Sequence, residues 1–141
     1  MEVRQIDSSE FYQLQKLHRE LLKLITEFND FQSTIILVQE LLEKDSLAIG
    51  LFKDGKLVGY TLGFYNDNMK GFYYSGIFIL PKYRFYTKLL VKESEKLLYE
   101  LRKYKEWYTE ANTKKGYRFL YHYGAKCIKN NLFKKEIEWE E

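Results

Sequence analysis

The most nucleophilic side chain in the sequence is its single cysteine, Cys127, and His122 is the nearest imidazole. A thiol beside a histidine is a candidate for covalent group transfer. These two fall across a helix end and a strand start, and nothing in the sequence brings them into contact. Metal chemistry has little to work with either. Two histidines, one cysteine and no C-x-x-C pair leave no segment with zinc-ligand spacing. What the chain does hold is phenol, amine and carboxylate: 13 tyrosines, 23 lysines and arginines, and 20 aspartates and glutamates. Tyrosines interleaved with lysines would suit a stacking surface for single-stranded nucleic acid. The same rings fill cores and strand faces in ordinary domains, so a nucleic-acid partner is not the favoured reading. The formal net charge of +3 is scattered along the chain; it suits a ligand carrying several phosphates and requires none.

Those groups must be positioned by a globular scaffold. The sequence has 141 residues, 45% hydrophobic and 30% charged, which is enough apolar surface for one domain spanning residues 1–141. No charged segment followed by an apolar run opens the chain, and no apolar stretch approaches a membrane span. A cytoplasmic protein without a membrane partner is expected.

Residues 2–6 read as a short strand. Asp7, with Glu10 three positions on, has capping-box spacing. Phe11, Leu14, Leu17, Leu21, Leu24 and Phe28 then recur at helical steps, with His18 beside them as a structural histidine. Asn29 and Asp30 can cap a second helix with Ile35, Val38, Leu41 and Leu42 on its apolar face. From Leu47 the period changes to two. The Asp54-Gly55 pair between alternating runs predicts a two-residue hairpin with both central residues at positive φ. Asn66-Asp67-Asn68 makes the next turn, and residues 70–80 form a third antiparallel strand ended by Pro81. Thr87 can cap a long helix with Leu90, Leu97 and Leu101 on its core side and Leu89 and Leu98 beside them. Residues 106–111 form a strand reached by a crossover. Residues 114–123 form a short helix closed by Gly124, and residues 127–139 supply the last strand or hairpin. The order is β-α-α-β-β-β-α-β-α-β, an α/β fold with a mixed central sheet and helices on both faces.

That order resembles the GNAT superfamily of N-acyltransferases, and three segments carry the likeness. Asp54-Gly55-Lys56-Leu57-Val58-Gly59-Tyr60 is similar to the hairpin before the family's cofactor strand. Ile77-Phe78-Ile79-Leu80-Pro81-Lys82-Tyr83-Arg84 looks like its strand end and Tyr-Arg pair. Asn112, Arg118-Phe119-Leu120 and Gly124 are similar to its C-terminal asparagine and short helix. The resemblance implies transfer of an acetyl group from acetyl-CoA to a small-molecule or peptide amine by direct attack. It implies a backbone N–H near Ile79 for the thioester carbonyl, Glu110 as general base directly or through water, and a phenol assisting the thiolate, for which Tyr121 and Tyr123 are the candidates. Arg84, Phe85, Tyr86, Thr87, Lys88 and Asn112 then fall at the coenzyme site. The exposed strands could also pair two copies into a homodimer.

Two positions depart from the family pattern. Arg84 is followed by Phe85-Tyr86-Thr87-Lys88, without the glycines whose amides cradle a pyrophosphate at a helix N-terminus. Counting four back from Gly124, where many members carry the assisting tyrosine, gives Leu120, and Tyr121 points about 100° further round. The expectation is that Phe85 and Tyr86 occlude or reshape the phosphate site and weaken acetyl-CoA binding. The alternative function is a GNAT-fold binding module without catalysis. A nucleic-acid binder, more remote, would show salt-dependent affinity for oligonucleotides.

Overall fold

The computed structural model describes residues 1–24 and 34–138. Phe28, the Asn29 and Asp30 cap, and Trp139 lie outside the described residues. Seven strands form one mixed sheet: β1 Glu2–Gln5, β2 Leu47–Lys53, β3 Lys56–Asn66, β4 Gly71–Ile79, β5 Glu106–Glu110, β6 Lys126–Lys129 and β7 Leu132–Glu136. Their order across the sheet is β1-β2-β3-β4-β5-β7-β6. Every adjacent pair is antiparallel except β4 with β5, which the crossover makes parallel. The Asp54-Gly55 hairpin has φ of 51° and 79° at its two central residues, the double positive that the sequence predicts. A second two-residue turn at Asn130-Asn131, with Asn130 at φ 49°, splits the last segment into the β6–β7 hairpin.

Four helices cover the two faces: α1 Phe11–Leu24, α2 Thr34–Leu41, α3 Thr87–Arg102 and α4 Lys114–His122. One core layer joins Leu14, Leu17 and Leu21 of α1 and Leu37 and Leu41 of α2 to Ala48, Phe52, Leu57, Tyr60 and Leu62 of the sheet. The other joins Leu90 and Leu98 of α3 and Leu120 of α4 to Leu47, Ile49, Leu51, Phe72, Tyr74, Trp107 and Phe133. A sheet covered on both sides explains why β2 is buried at six successive positions, not only at the alternating ones.

Two helix faces differ from the periodicity expected of them. On α2 the buried pair is Leu37 and Leu41, while Ile35, Val38 and Leu42 are exposed. An eight-residue helix with five apolar residues in all has no polar side to fix its rotation. On α3 the buried positions are Leu90, Val91, Ser94 and Leu98, with Leu89 and Leu101 turned outward. Thr87 is not the cap: Tyr86 holds that position without a side-chain bond, and the Thr87 hydroxyl donates to the Arg84 carbonyl. The reason lies upstream, where Pro81–Tyr86 is already a 3-10 turn that runs straight into α3.

The capping box at Asp7 forms as expected and opens the turn Ser8–Glu10 that leads into α1. The Arg4 guanidinium grips both Glu10 carboxylate oxygens at 2.6 Å and stacks over Phe52. Its hydrogen bonds, outweighing partial burial, hold Glu10 at about 2 against the usual 4.5. A depressed carboxylate contributes stability above its unfolded value and loses it as pH falls through the folded value. Thermal unfolding of Glu10→Gln is therefore expected to lie below wild type at pH 6, with the gap closing between about pH 4.5 and 2. A gap independent of pH would remove the ion pair from this account.

Candidate active site

The site originates where β4 and β5 part. Their pairing is confined to Tyr73 against Tyr108, and one residue further on a side chain substitutes for the ladder: the Thr109 hydroxyl donates to the Tyr74 carbonyl at 2.8 Å. At the same level β4 carries a bulge. Leu62 faces Gly76 and Gly63 faces Tyr74, so Ser75 is the extra residue, and its hydroxyl donates to the Leu62 carbonyl at 3.1 Å. A bulge bends and twists its strand; here it directs the rest of β4 away from β5.

The opened edge leaves backbone donors facing the gap. Leu80 N–H bonds the Val58 carbonyl, and Ile79 pairs with Gly59 in the same register. Antiparallel ladders alternate, so Ile77 and Ile79 turn their N–H groups away from β3, toward the side that β5 has left. A helix spanning the crossover and another after β5 wall the gap, giving a cleft of about 430 Å³. Tyr74, Ser75, Gly76 and Ile77 of β4 line it, with Val91, Ser94 and Glu95 of α3 and Trp107, Thr109 and Glu110 of β5. Asn112 and Thr113 follow at its rim, and Gly116, Phe119, Leu120 and Tyr123 close it.

The two faces of the split differ in chemistry. On the α3 and α4 side, Trp107 Nε1 donates to Glu95 Oε2 at 3.1 Å, and Lys135 Nζ reaches the same oxygen at 3.2 Å. That ties α3 to β5 and β7 across the cleft floor. Thr61 and Ser94 form a buried hydroxyl pair at 3.1 Å. Burial, reinforced by the Glu95 charge, pushes the Tyr74 phenol well up. On the opposite side, burial and then the charges of Glu110 and Glu40 push Tyr73 up. Beyond it the His18 ring meets the Tyr60 hydroxyl at 2.7 Å, with both side chains buried. Burial raises the Tyr60 phenol as well, so all three stay protonated near neutral pH.

Glu110 and Asn112 both lie on the cleft. Asn112 is fixed by Asn131, whose side-chain amide donates to its Oδ1 at 3.0 Å, while the Tyr117 hydroxyl holds Asn131. Ile79 is at the end of β4 with its amide toward the gap. Tyr121 is not on the cleft: it is 59% exposed and packs edge-on against Phe133. The cleft face of α4 is Gly116, Phe119, Leu120 and Tyr123, a helical i, i+3, i+4, i+7 stripe. Tyr123 is thus the phenol the structure brings to the site, its ring tilted against that of Phe119 with centroids 4.7 Å apart and its hydroxyl pushed up by burial.

Residues 84–88 gather at the start of α3, outside the cleft lining. Phe85 is 76% exposed and its ring lies 4.2 Å from that of Tyr86. Tyr86 is half-buried against the core, so the rings stack on each other. The Tyr83 and Thr87 amides already bond the Leu80 and Arg84 carbonyls within the 3-10 turn. Tyr74, Thr61 and Ser94 are absent from the sequence expectations. The one signal for them is Ser94, a small polar residue inside the Leu90–Leu98 stripe at helical spacing.

No family model and no curated protein matches this sequence. Solved structures do. The PaiA N-acetyltransferase of Thermoplasma acidophilum, in complex with coenzyme A, superposes with a TM-score of 0.71 at 20% identity, over 96% of this chain and 98% of that one. The aminoglycoside 6'-N-acetyltransferase of Enterococcus faecium gives 0.73 at 15% identity, over 100% and 99%. A GNAT family acetyltransferase of Brucella melitensis, in complex with acetyl-CoA, gives 0.69 at 10% identity, over 99% and 90%. The chain has the fold of the GNAT N-acetyltransferases along its whole described length.

Proposed function

We propose that the protein is an acyl-CoA-dependent N-acyltransferase that moves an acetyl group from acetyl-CoA to an amine. The observation that carries this reading is the parting of β4 and β5, which leaves a cleft with two outward strand amides and with Glu110, Asn112 and Tyr123 at its edge. An acyl-pantetheine arm entering from the α3 and α4 side would bring its thioester to the split. An amine approaching from the Glu110 side would attack the carbonyl carbon, forming the C–N bond as the C–S bond breaks. An N–H of Ile77 or Ile79 would take the developing oxyanion. Glu110 would accept the proton from nitrogen, and Tyr123 would supply one to the departing thiolate. Of the similar structures above, the Thermoplasma acidophilum protein is in complex with coenzyme A and the Brucella melitensis protein with acetyl-CoA, which supports the choice of donor.

One observation favours a second reading, a binding module without catalysis. The 3-10 turn Pro81–Tyr86 uses amides that a glycine loop would turn toward phosphates. Each lost charge-assisted contact costs about 1.5–3 kcal/mol, and two of them reduce affinity roughly a hundredfold or more. Titration with acetyl-CoA distinguishes the readings. Saturable binding at one site, with Kd on the order of 0.1–1 mM and a melting temperature that rises with ligand, is expected. Neither heat nor shift at several millimolar ligand would leave the binding module.

A further inference from the structure

The deep end of the cleft holds a polar group that the protein leaves without a partner. The Tyr74 hydroxyl is fully buried, and among the described residues nothing hydrogen-bonds to it. Its ring is well determined by neighbours: Trp107 meets it edge-on at 5.3 Å and Phe72 at 5.1 Å, and its carbonyl is held by Thr109. The side chain is therefore fixed in place, and it lines the cleft where β4 and β5 begin to part. A buried, unsatisfied hydroxyl is costly, and phenylalanine would fill the same space without that cost.

We infer that the Tyr74 hydroxyl is a donor to a carbonyl oxygen of the acyl-pantetheine arm, an inference that rests on the acyltransferase reading. The chemistry of the pocket selects a neutral acceptor. Burial and the nearby Glu95 charge keep the phenol protonated, so it offers a hydrogen. Lys135 is already paired with the Glu95 carboxylate beside it, and among the described residues no Lys or Arg lines the cleft, so nothing there recruits an anion. The neighbouring Thr61 and Ser94 hydroxyls bond each other, whereas the Tyr74 hydroxyl has no partner among the described residues. A pantetheine arm carries two amide carbonyls, and its acylated form adds the thioester carbonyl. Either kind has the required chemistry.

Tyr74→Phe separates the possibilities, measured by calorimetry or ligand-observed NMR with three probes: coenzyme A, acetyl-CoA and adenosine 3',5'-bisphosphate. A net neutral hydrogen bond is worth about a five- to tenfold change in affinity. Equal weakening toward coenzyme A and acetyl-CoA assigns the bond to a pantetheine amide; weakening toward acetyl-CoA alone assigns it to the thioester. Binding of the bisphosphate, which has no pantetheine, is expected to stay unchanged, and the variant's melting temperature to stay level or rise. If wild type binds coenzyme A and Tyr74→Phe binds it and acetyl-CoA equally well, the inference is overturned while the acyltransferase reading stands. A fall of several degrees in melting temperature would also overturn it, since the hydroxyl would then serve the fold. If wild type binds no coenzyme A, the functional reading fails and takes this inference with it.

Discussion

Glu110→Gln is expected to lower kcat for amine acetylation by about 10²–10⁴-fold while leaving acetyl-CoA affinity unchanged. Glu110 is the last residue of β5 and lies where that strand has already left β4. It is exposed, among the described residues it belongs to none of the ion pairs, and its carboxylate accepts from the Tyr73 phenol. Its charge helps push the Tyr73 phenol up, which places the two groups near one another on the side away from α3. Glutamine keeps the shape and removes the base. Binding of the donor, on the other face, has no reason to change, and folding has little. Glu136→Gln, on the neighbouring β7, is the control for charge alone. A kcat within threefold of wild type for Glu110→Gln would remove it from the chemistry and leave a water or the amine's own ionisation to do the work.

Much of this architecture was legible because local rules and tertiary demands agree. Asp54-Gly55 must turn, whatever surrounds it, and the crossover between β4 and β5 forces a parallel pair. The rest depended on packing that a single sequence does not display. Leu37 and Leu41 were chosen over Ile35 and Val38 by what the sheet offered to α2, since the polar residues of that helix, Thr34, Gln39 and Glu40, do not gather on one side. Tyr121 stands one position off the spacing from Gly124, about 100° round the helix, and the rotation of α4 that sets Phe119 and Leu120 on the cleft brings Tyr123 there as well. The sequence leads one to expect that Phe85 and Tyr86 occlude or reshape the phosphate site. The structure sets their rings 4.2 Å apart at the end of a 3-10 turn whose Tyr83 and Thr87 amides already bond carbonyls. Tyr74 could not have been found among 13 tyrosines, because its distinction is a missing partner, and that exists only in three dimensions.

The largest stability effect is expected at Gly63→Ala. Gly63 faces Tyr74 at the β4 bulge. A Cβ placed there would overlap the Phe72 ring and stand 2.7 Å from the Tyr73 carbonyl oxygen. The ring cannot yield cheaply. Phe72 is fully buried and packed against Tyr74 and Tyr104 at 5.1 and 5.4 Å, and the carbonyl belongs to the strand itself. Overpacking of this kind costs about 3 kcal/mol, which for a chain of this size lowers the melting temperature by roughly 10 °C. Phe72 packs edge-on against Tyr74, so the deep end of the cleft should distort and coenzyme A affinity should fall as well. Phe72→Leu makes room at the point of overlap. If the clash is the cause, Gly63→Ala combined with Phe72→Leu will be more stable than the sum of the single losses by at least about 1 kcal/mol. Strict additivity would mean that the glycine serves the backbone conformation of the bulge, and that the Phe72 ring is a bystander.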